Sequence, residues 1–330
     1  MLTADLISLL KLLLLGPLAY LIDLASAPLS PLFPFPLATT LHAARVGLAY
    51  KGRTRALGFD GAMKARGRGV EWAGYLVMCW GGSFITSFLQ QTPPPQLLSP
   101  LPWINYLSIY TVISNPAFTA LLPSPAILDT LLPIIDGLTR TFPISGAVLS
   151  TSNHANPAIR SSLMFQLLCG GLAASGGGIA ATTLGVFTPD WRLSTPPILF
   201  TGFLGCLDFL AGAAAAALFG FLTASHPAYL PYLAAAKSLV PSLGGTHTKP
   251  AAEPAAALMT VLGARSVLVL FLSLVYATRA FMLHWYPMLV APPVAAVPVA
   301  AVGRDGEKPT SAREATRIVV QDKEEGKKRV

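Results

Sequence analysis

With 330 residues, 53% of them hydrophobic and only 12% charged, the chain lacks the polar surface of a water-soluble globule, which normally carries about a quarter charged residues. Its net charge of +8 raises nucleic acid as a partner. The basic residues, however, lie in short segments between apolar runs and in the tail with no basic–aromatic motif, so membrane lipids are the expected partners and nucleic acid is not. Cys79, Cys169 and Cys206 all fall inside apolar runs without a CxxC, which excludes a disulfide framework.

Apolar runs of about 20 residues, each reaching across roughly 30 Å of hydrocarbon when helical, predict an all-α, polytopic membrane protein. The first run, Asp5 to Ser26, ends on Ala25-Ser26-Ala27, a passable signal-peptide cleavage site. Lys11 inside the apolar stretch and Asp5 before it favour instead an interfacial or spanning helix that stays attached. Residues 1–27 are therefore read as an N-terminal hydrophobic segment.

A proline-rich break at 28–36 follows, and then seven predicted helices at about 36–50, 70–90, 102–122, 126–150, 161–187, 197–224 and 259–289. Proline clusters such as Pro93-Pro94-Pro95, Pro123-Ser124-Pro125 and Pro196-Pro197 separate them. Residues 28–290 thus form the transmembrane unit. Between the first two helices stand Lys51, Arg53, Arg55, Lys64, Arg66 and Arg68, whereas the loop at 91–101 carries no charge. That excess marks the cytoplasmic side and, after seven spans, puts the C-terminus there too. The tail, 291–330, is polar from Gly303 onward and predicted to be disordered. It ends Lys327-Lys328-Arg329-Val330, a dilysine pattern that on a cytoplasmic tail returns membrane proteins to the endoplasmic reticulum.

Two halves look alike. Met78-Cys79-Trp80-Gly81-Gly82-Ser83 lies in the second span; Leu168-Cys169-Gly170-Gly171 and Ser175-Gly176-Gly177-Gly178 lie in the fifth. Three spans apart, they have opposite orientations, which predicts an inverted repeat of two three-helix units plus a final helix. Gly81, Gly82, Gly176, Gly177 and Gly178 admit two readings: a kink that lines a pore at the midplane, or close packing of helices through small residues. Their recurrence in both halves favours the pore.

Ionisable residues within spans are sites by default, because each costs several kcal/mol in lipid unless paired or hydrated. Asp136, Arg140, Asp208, Arg265 and Arg279 are the main ones. Asp136 and Arg140 stand at i and i+4, so Arg140 either pairs locally or faces a pore or a phosphate. Arg265 sits near a helix end and can snorkel. His154, between Asn153 and Asn156, reads as loop structure, since no histidine has partners at metal-ligand spacing. No nucleophile–base motif, phosphate loop or dinucleotide fingerprint is present, so neither an enzyme nor a cofactor is expected. No charge-lined filter is visible either.

Six segments in order resemble the trimeric intracellular cation channel family. They are Pro34-Phe35 with Leu41-His42-Ala43-Ala44; Met78-Cys79-Trp80-Gly81-Gly82; Leu138-Thr139-Arg140-Thr141-Phe142 continuing Ile144-Ser145-Gly146-Ala147-Val148; His154-Ala155-Asn156; Ser175-Gly176-Gly177-Gly178; and Asp190-Trp191. The resemblance covers about 33–290. It implies a homotrimer with a pore in each protomer, kinked at the second and fifth spans, conducting K⁺ as a counter-flow to Ca²⁺ release and uptake across internal membranes. It also implies phosphoinositide headgroups on basic residues of the fourth span, of which Arg140 is one. Two further basic positions of the fourth span are here Asp136 and Pro143, and one of the fifth span is Ala174, so the sequence keeps the pore scaffold more fully than the lipid site. Two other functions stay open: a secondary transporter with Asp136 or Asp208 as its coupling carboxylate, and a non-conducting membrane scaffold of the same fold.

Overall fold

A computed structural model describes residues 11–121, 123–239 and 256–290. The tail with its dilysine ending, its expected disorder and its expected cytoplasmic side lies outside the described residues, as do the first ten.

The molecule is mostly helical. A π-helical turn at Lys11–Leu15 leads into α1 (Gly16–Ser26). A small antiparallel pair, β1 (Pro28–Ser30) and β2 (Phe33–Pro36), occupies the proline-rich stretch that the sequence reads only as a break. Then come α2 (Leu37–Ala56), α3 (Asp60–Arg66), α4 (Arg68–Leu89), α5 (Leu101–Ile113), α6 (Pro125–Leu131), α7 (Pro133–Ser152), α8 (Leu163–Thr183), α9 (Gly202–Thr223), α10 (Leu230–Leu239) and α11 (Val261–Ala280). A second π-helical turn, Phe281–Trp285, continues α11. Three of these helices are long and apolar enough to cross a membrane: Leu163–Thr183, Gly202–Thr223 and Val261–Val290.

The boundaries follow local chemistry. Pro125 and Pro133 sit in the first helical turns of α6 and α7, where a missing N–H is harmless. The Ser162 and Thr260 side chains cap α8 and α11 by accepting from Phe165 N and Gly263 N. Two predicted spans are broken. The third stops at Ile113, because Pro116 cannot donate and Asn115 Oδ1 accepts from Ala117 N, restarting the chain as a new turn. The fourth divides at Leu132 into α6 and α7. The first runs on to Ala56, with Arg53 and Arg55 in its last turn, where cations suit the helix dipole.

Helix ends fall into two groups. At one, Arg66 pairs with Asp190 and Asp129 takes both Arg45 and His284. At the other, His154 Nε2 meets Gln90 O at 2.8 Å, His226 Nε2 meets Ser161 O at 3.0 Å, and Leu258 N donates to Leu222 O at 2.9 Å. The basic α2–α4 segment belongs to the first group. One apolar core joins α7, α9 and α11 around Ile144, Phe219, Leu268 and Leu272. Another, rich in tyrosine, joins α2, α4 and α5 around Tyr50, Tyr75, Tyr106 and Tyr110. A third seats Ile22 and Ala25 of α1 against Leu138 and Val269.

Lys51 locks the basic end. The residue is 2% exposed, and its ammonium reaches Asp60 Oδ1 at 2.5 Å and Glu71 Oε1 at 2.7 Å, while Tyr110 Oη donates to the same Glu71 oxygen at 2.9 Å. Burial alone would raise the Asp60 carboxyl, but the hydrogen bonds and charges of Lys51 and Lys64 outweigh it and hold it below the ordinary 3.8. A carboxylate depressed by folding contributes stability that is present above about pH 4 and is lost as pH falls through the folded value. The thermal midpoint of the detergent-solubilised protein is therefore expected to drop between about pH 5 and pH 3. Asp60→Asn should flatten that drop; an identical acid profile in the variant would refute the assignment.

Candidate functional site: a charged cavity between the helices

A cavity of 1310 Å³ runs between α2, α4, α7, α8 and α11. α2 lines it from Ala38 to Ala56 and α11 with its extension from Arg265 to Leu283, each a rise of about 27 Å. That is close to the roughly 30 Å of a bilayer's hydrocarbon core. Wall residues occur near both groups of helix ends: Pro36, Gln96 and Arg265 toward one, Lys51, Arg53 and Asp129 toward the other.

α4 and α8 form one wall and run unbroken through the glycines that the sequence offers either as a break or as a packing face. A Cβ on Gly81 would sit 2.8 Å from Ala180 Cβ, on Gly82 2.8 Å from Leu172 O, on Gly176 2.6 Å from Gly82 Cα, and on Gly177 2.1 Å from Met78 O. These four let the two backbones touch, so packing accounts for them. Met78 faces Gly177 while Gly82 faces Leu172, which makes the seam antiparallel. Gly178 has open space around it. Gly82, Gly177 and Gly178 line the cavity; Gly81 and Gly176 do not.

The five charged residues singled out in the spans, Asp136, Arg140, Asp208, Arg265 and Arg279, all line this cavity, but the pairing differs from the local one that spacing allows. Asp136 takes a two-pronged contact from Arg45, Nε to Oδ1 at 2.8 Å and Nη2 to Oδ2 at 3.0 Å. Arg45 Nη2 also reaches Asp129 Oδ1 at 2.6 Å, and Asp129 Oδ2 lies 3.0 Å from His284 Nε2. Arg140 turns the other way, to Asp208 Oδ2 at 3.5 Å, and Asp208 Oδ1 accepts from Arg279 Nη1 at 2.7 Å. Arg140 Nη1 further donates to Ala174 O at 2.6 Å, and its guanidinium lies 4.7 Å from the Tyr276 ring centroid. The result is a ladder in which Arg45, Arg140 and Arg279 balance Asp129, Asp136 and Asp208. The i,i+4 partners lose because α2 and α9 present bidentate or closer partners from outside α7.

The sequence shows no charge-lined filter; the structure gathers these ionisable side chains on the wall of one cavity. Arg45, Asp129 and His284 complete the ladder, and sequence reading passes over all three. The signal was available for each: Arg45 falls inside the first predicted span, Asp129 inside the fourth and His284 inside the last, where any ionisable residue is a site by default. His42, whose Nδ1 lies 2.9 Å from Tyr106 Oη, also lines the cavity. His154 does serve the loop, bridging to α4. Among the described residues no group of His, Cys, Asp and Glu is placed to hold a metal ion.

The chain matches no protein-family model, no curated protein and no solved structure.

Proposed function

We propose that this chain is a channel for monovalent cations, K⁺ foremost, of the trimeric intracellular cation channel type, working in the endoplasmic reticulum or a related internal membrane as a counter-ion path for Ca²⁺ release and uptake. One observation carries the reading: a single cavity whose wall residues extend about 27 Å along both α2 and α11. A path of that depth, lined by ionised side chains, keeps water in contact with an ion where lipid would expel it. The proposal includes seven spans, α2, α4, α5, α6–α7, α8, α9 and α11, in two inverted triplets. The antiparallel glycine seam between α4 and α8 and the two groups of helix ends support that plan. Assembly as a homotrimer and a cytoplasmic C-terminus are parts of the same proposal.

Phosphoinositide is a weaker part. Arg140, the basic residue retained on the fourth span, is engaged by Asp208 and by the Ala174 carbonyl, which lowers its attraction for a phosphate.

Purified protein in planar bilayers with KCl on both sides tests the proposal. Unitary K⁺ current steps are the expected result. Saturable flux without steps would indicate a transporter, and silence a scaffold; either outcome would end the channel reading.

A further inference from the structure

The ladder is neutral, but the cavity is not neutral along its whole depth. Its charges cluster toward the end that carries the basic α2–α4 segment, where Lys51 is balanced by Asp60 and Glu71. Toward the opposite end the described wall residues include Ala25, Ser26, Pro36, Ala38, Thr39, Ser83 and Gln96, and one guanidinium, Arg265. Arg265 lies fourteen residues before Arg279 on α11, about 21 Å away. Its Nε donates to Ser145 Oγ at 3.0 Å and its guanidinium rests 5.5 Å from the Phe142 ring centroid. Ser145 itself stands nine residues beyond Asp136 on α7, about 14 Å further along the path. Among the described residues no carboxylate pairs with Arg265. A serine and an aromatic face hold the group in place without cancelling its charge.

Resting on the channel reading, we propose that Arg265 determines charge selectivity in this path: an unneutralised, fixed cation that limits K⁺ passage through the half of the cavity away from the basic segment. The physics is direct. A unit charge about 6 Å from a permeating ion in watery surroundings changes the local cation population by roughly three- to tenfold, and the local anion population the opposite way. Mobile salt screens it, with a Debye length near 10 Å at 0.1 M and about 3 Å at 1 M. The same field opposes cations at one end of the path only, so current should also depend on its direction.

The test uses full-length protein in planar bilayers under a KCl gradient. Arg265→Gln should move the reversal potential toward that of a pure K⁺ electrode and raise K⁺ conductance about three- to tenfold at 0.1 M salt, with the gain nearly gone at 1 M. Arg265→Lys should keep wild-type values, because it keeps the charge. The wild type alone should prefer K⁺ over Cl⁻ more strongly as salt rises, which needs no variant to fold. A Gln variant indistinguishable from wild type at low salt would overturn the proposal, and so would a Lys variant that behaves like Gln, since the Ser145 hydrogen bond rather than charge would then matter. A conducting wild type with these failures sinks this inference alone; a silent wild type sinks the channel reading with it.

Discussion

Gly177→Leu is expected to yield no monodisperse folded protein, and Gly177→Ala a protein that melts below the wild type. A Cβ at this position would stand 2.1 Å from the Met78 carbonyl oxygen. The obstacle is backbone in the middle of a continuous helix, so no rotamer change relieves it. α4 and α8 must move apart, and every contact along their seam loosens with them. Overpacking typically costs about 1–3 kcal/mol and more when backbone must shift. At roughly 2–4 °C per kcal/mol, the alanine variant should melt about 2–12 °C lower. Gly178→Ala is the control, because nothing lies within 4 Å of its Cβ position. It should match wild type or gain slightly, since alanine favours helix over glycine by about 1 kcal/mol. Thermal unfolding in detergent measures all three. Equal midpoints for the two alanine variants would show that the seam is not where the fold is tight.

Asp208→Asn carries the second large effect. Asp208 is shared by Arg140 and Arg279, which come from α7 and α11, while Asp208 itself belongs to α9. Removing its charge leaves two guanidinium groups facing each other across a site no longer compensated. Breaking a buried pair costs about 3–5 kcal/mol. The cavity face of this trio is hydrated, with side chains 26–36% exposed, so about 1–3 kcal/mol is the expected loss. On the proposed channel reading, K⁺ conductance should fall by about an order of magnitude, because the neutral ladder would then carry one uncompensated positive charge. Asp208→Asn combined with Arg279→Met should recover part of both, and the shortfall from additivity measures the coupling. Strict additivity would mean that the three residues do not act as a unit.

How much of this was legible beforehand varied by the range of the interaction. Helix positions were readable because proline and glycine act locally. The break at Ser114-Asn115-Pro116 was readable too, since Asn-Pro marks a turn, yet a long apolar run drew the third predicted span across it. Pairing was different. Asp136 and Arg140 look like partners at i and i+4, but the winner for Asp136 is Arg45, 91 positions earlier, and no local rule selects it. The glycines posed the sharpest ambiguity. Kinking and packing both need a missing side chain, and only the position of the opposing helix distinguishes them. At Gly81, Gly82, Gly176 and Gly177 that helix is in contact; at Gly178 it is not.

The seam between α4 and α8 also sets a schedule for biogenesis. Gly82 and Gly177 are 95 positions apart, so at about 5–20 residues per second the ribosome takes roughly 5–19 s to supply the second surface after the first. On the proposed seven-span plan, the narrow glycine groove of α4 faces lipid throughout that delay, and a nascent chain halted before α8 keeps it there. A premature stop in the second half should therefore produce a species that is inserted but unmated, the form that membrane quality control is built to find.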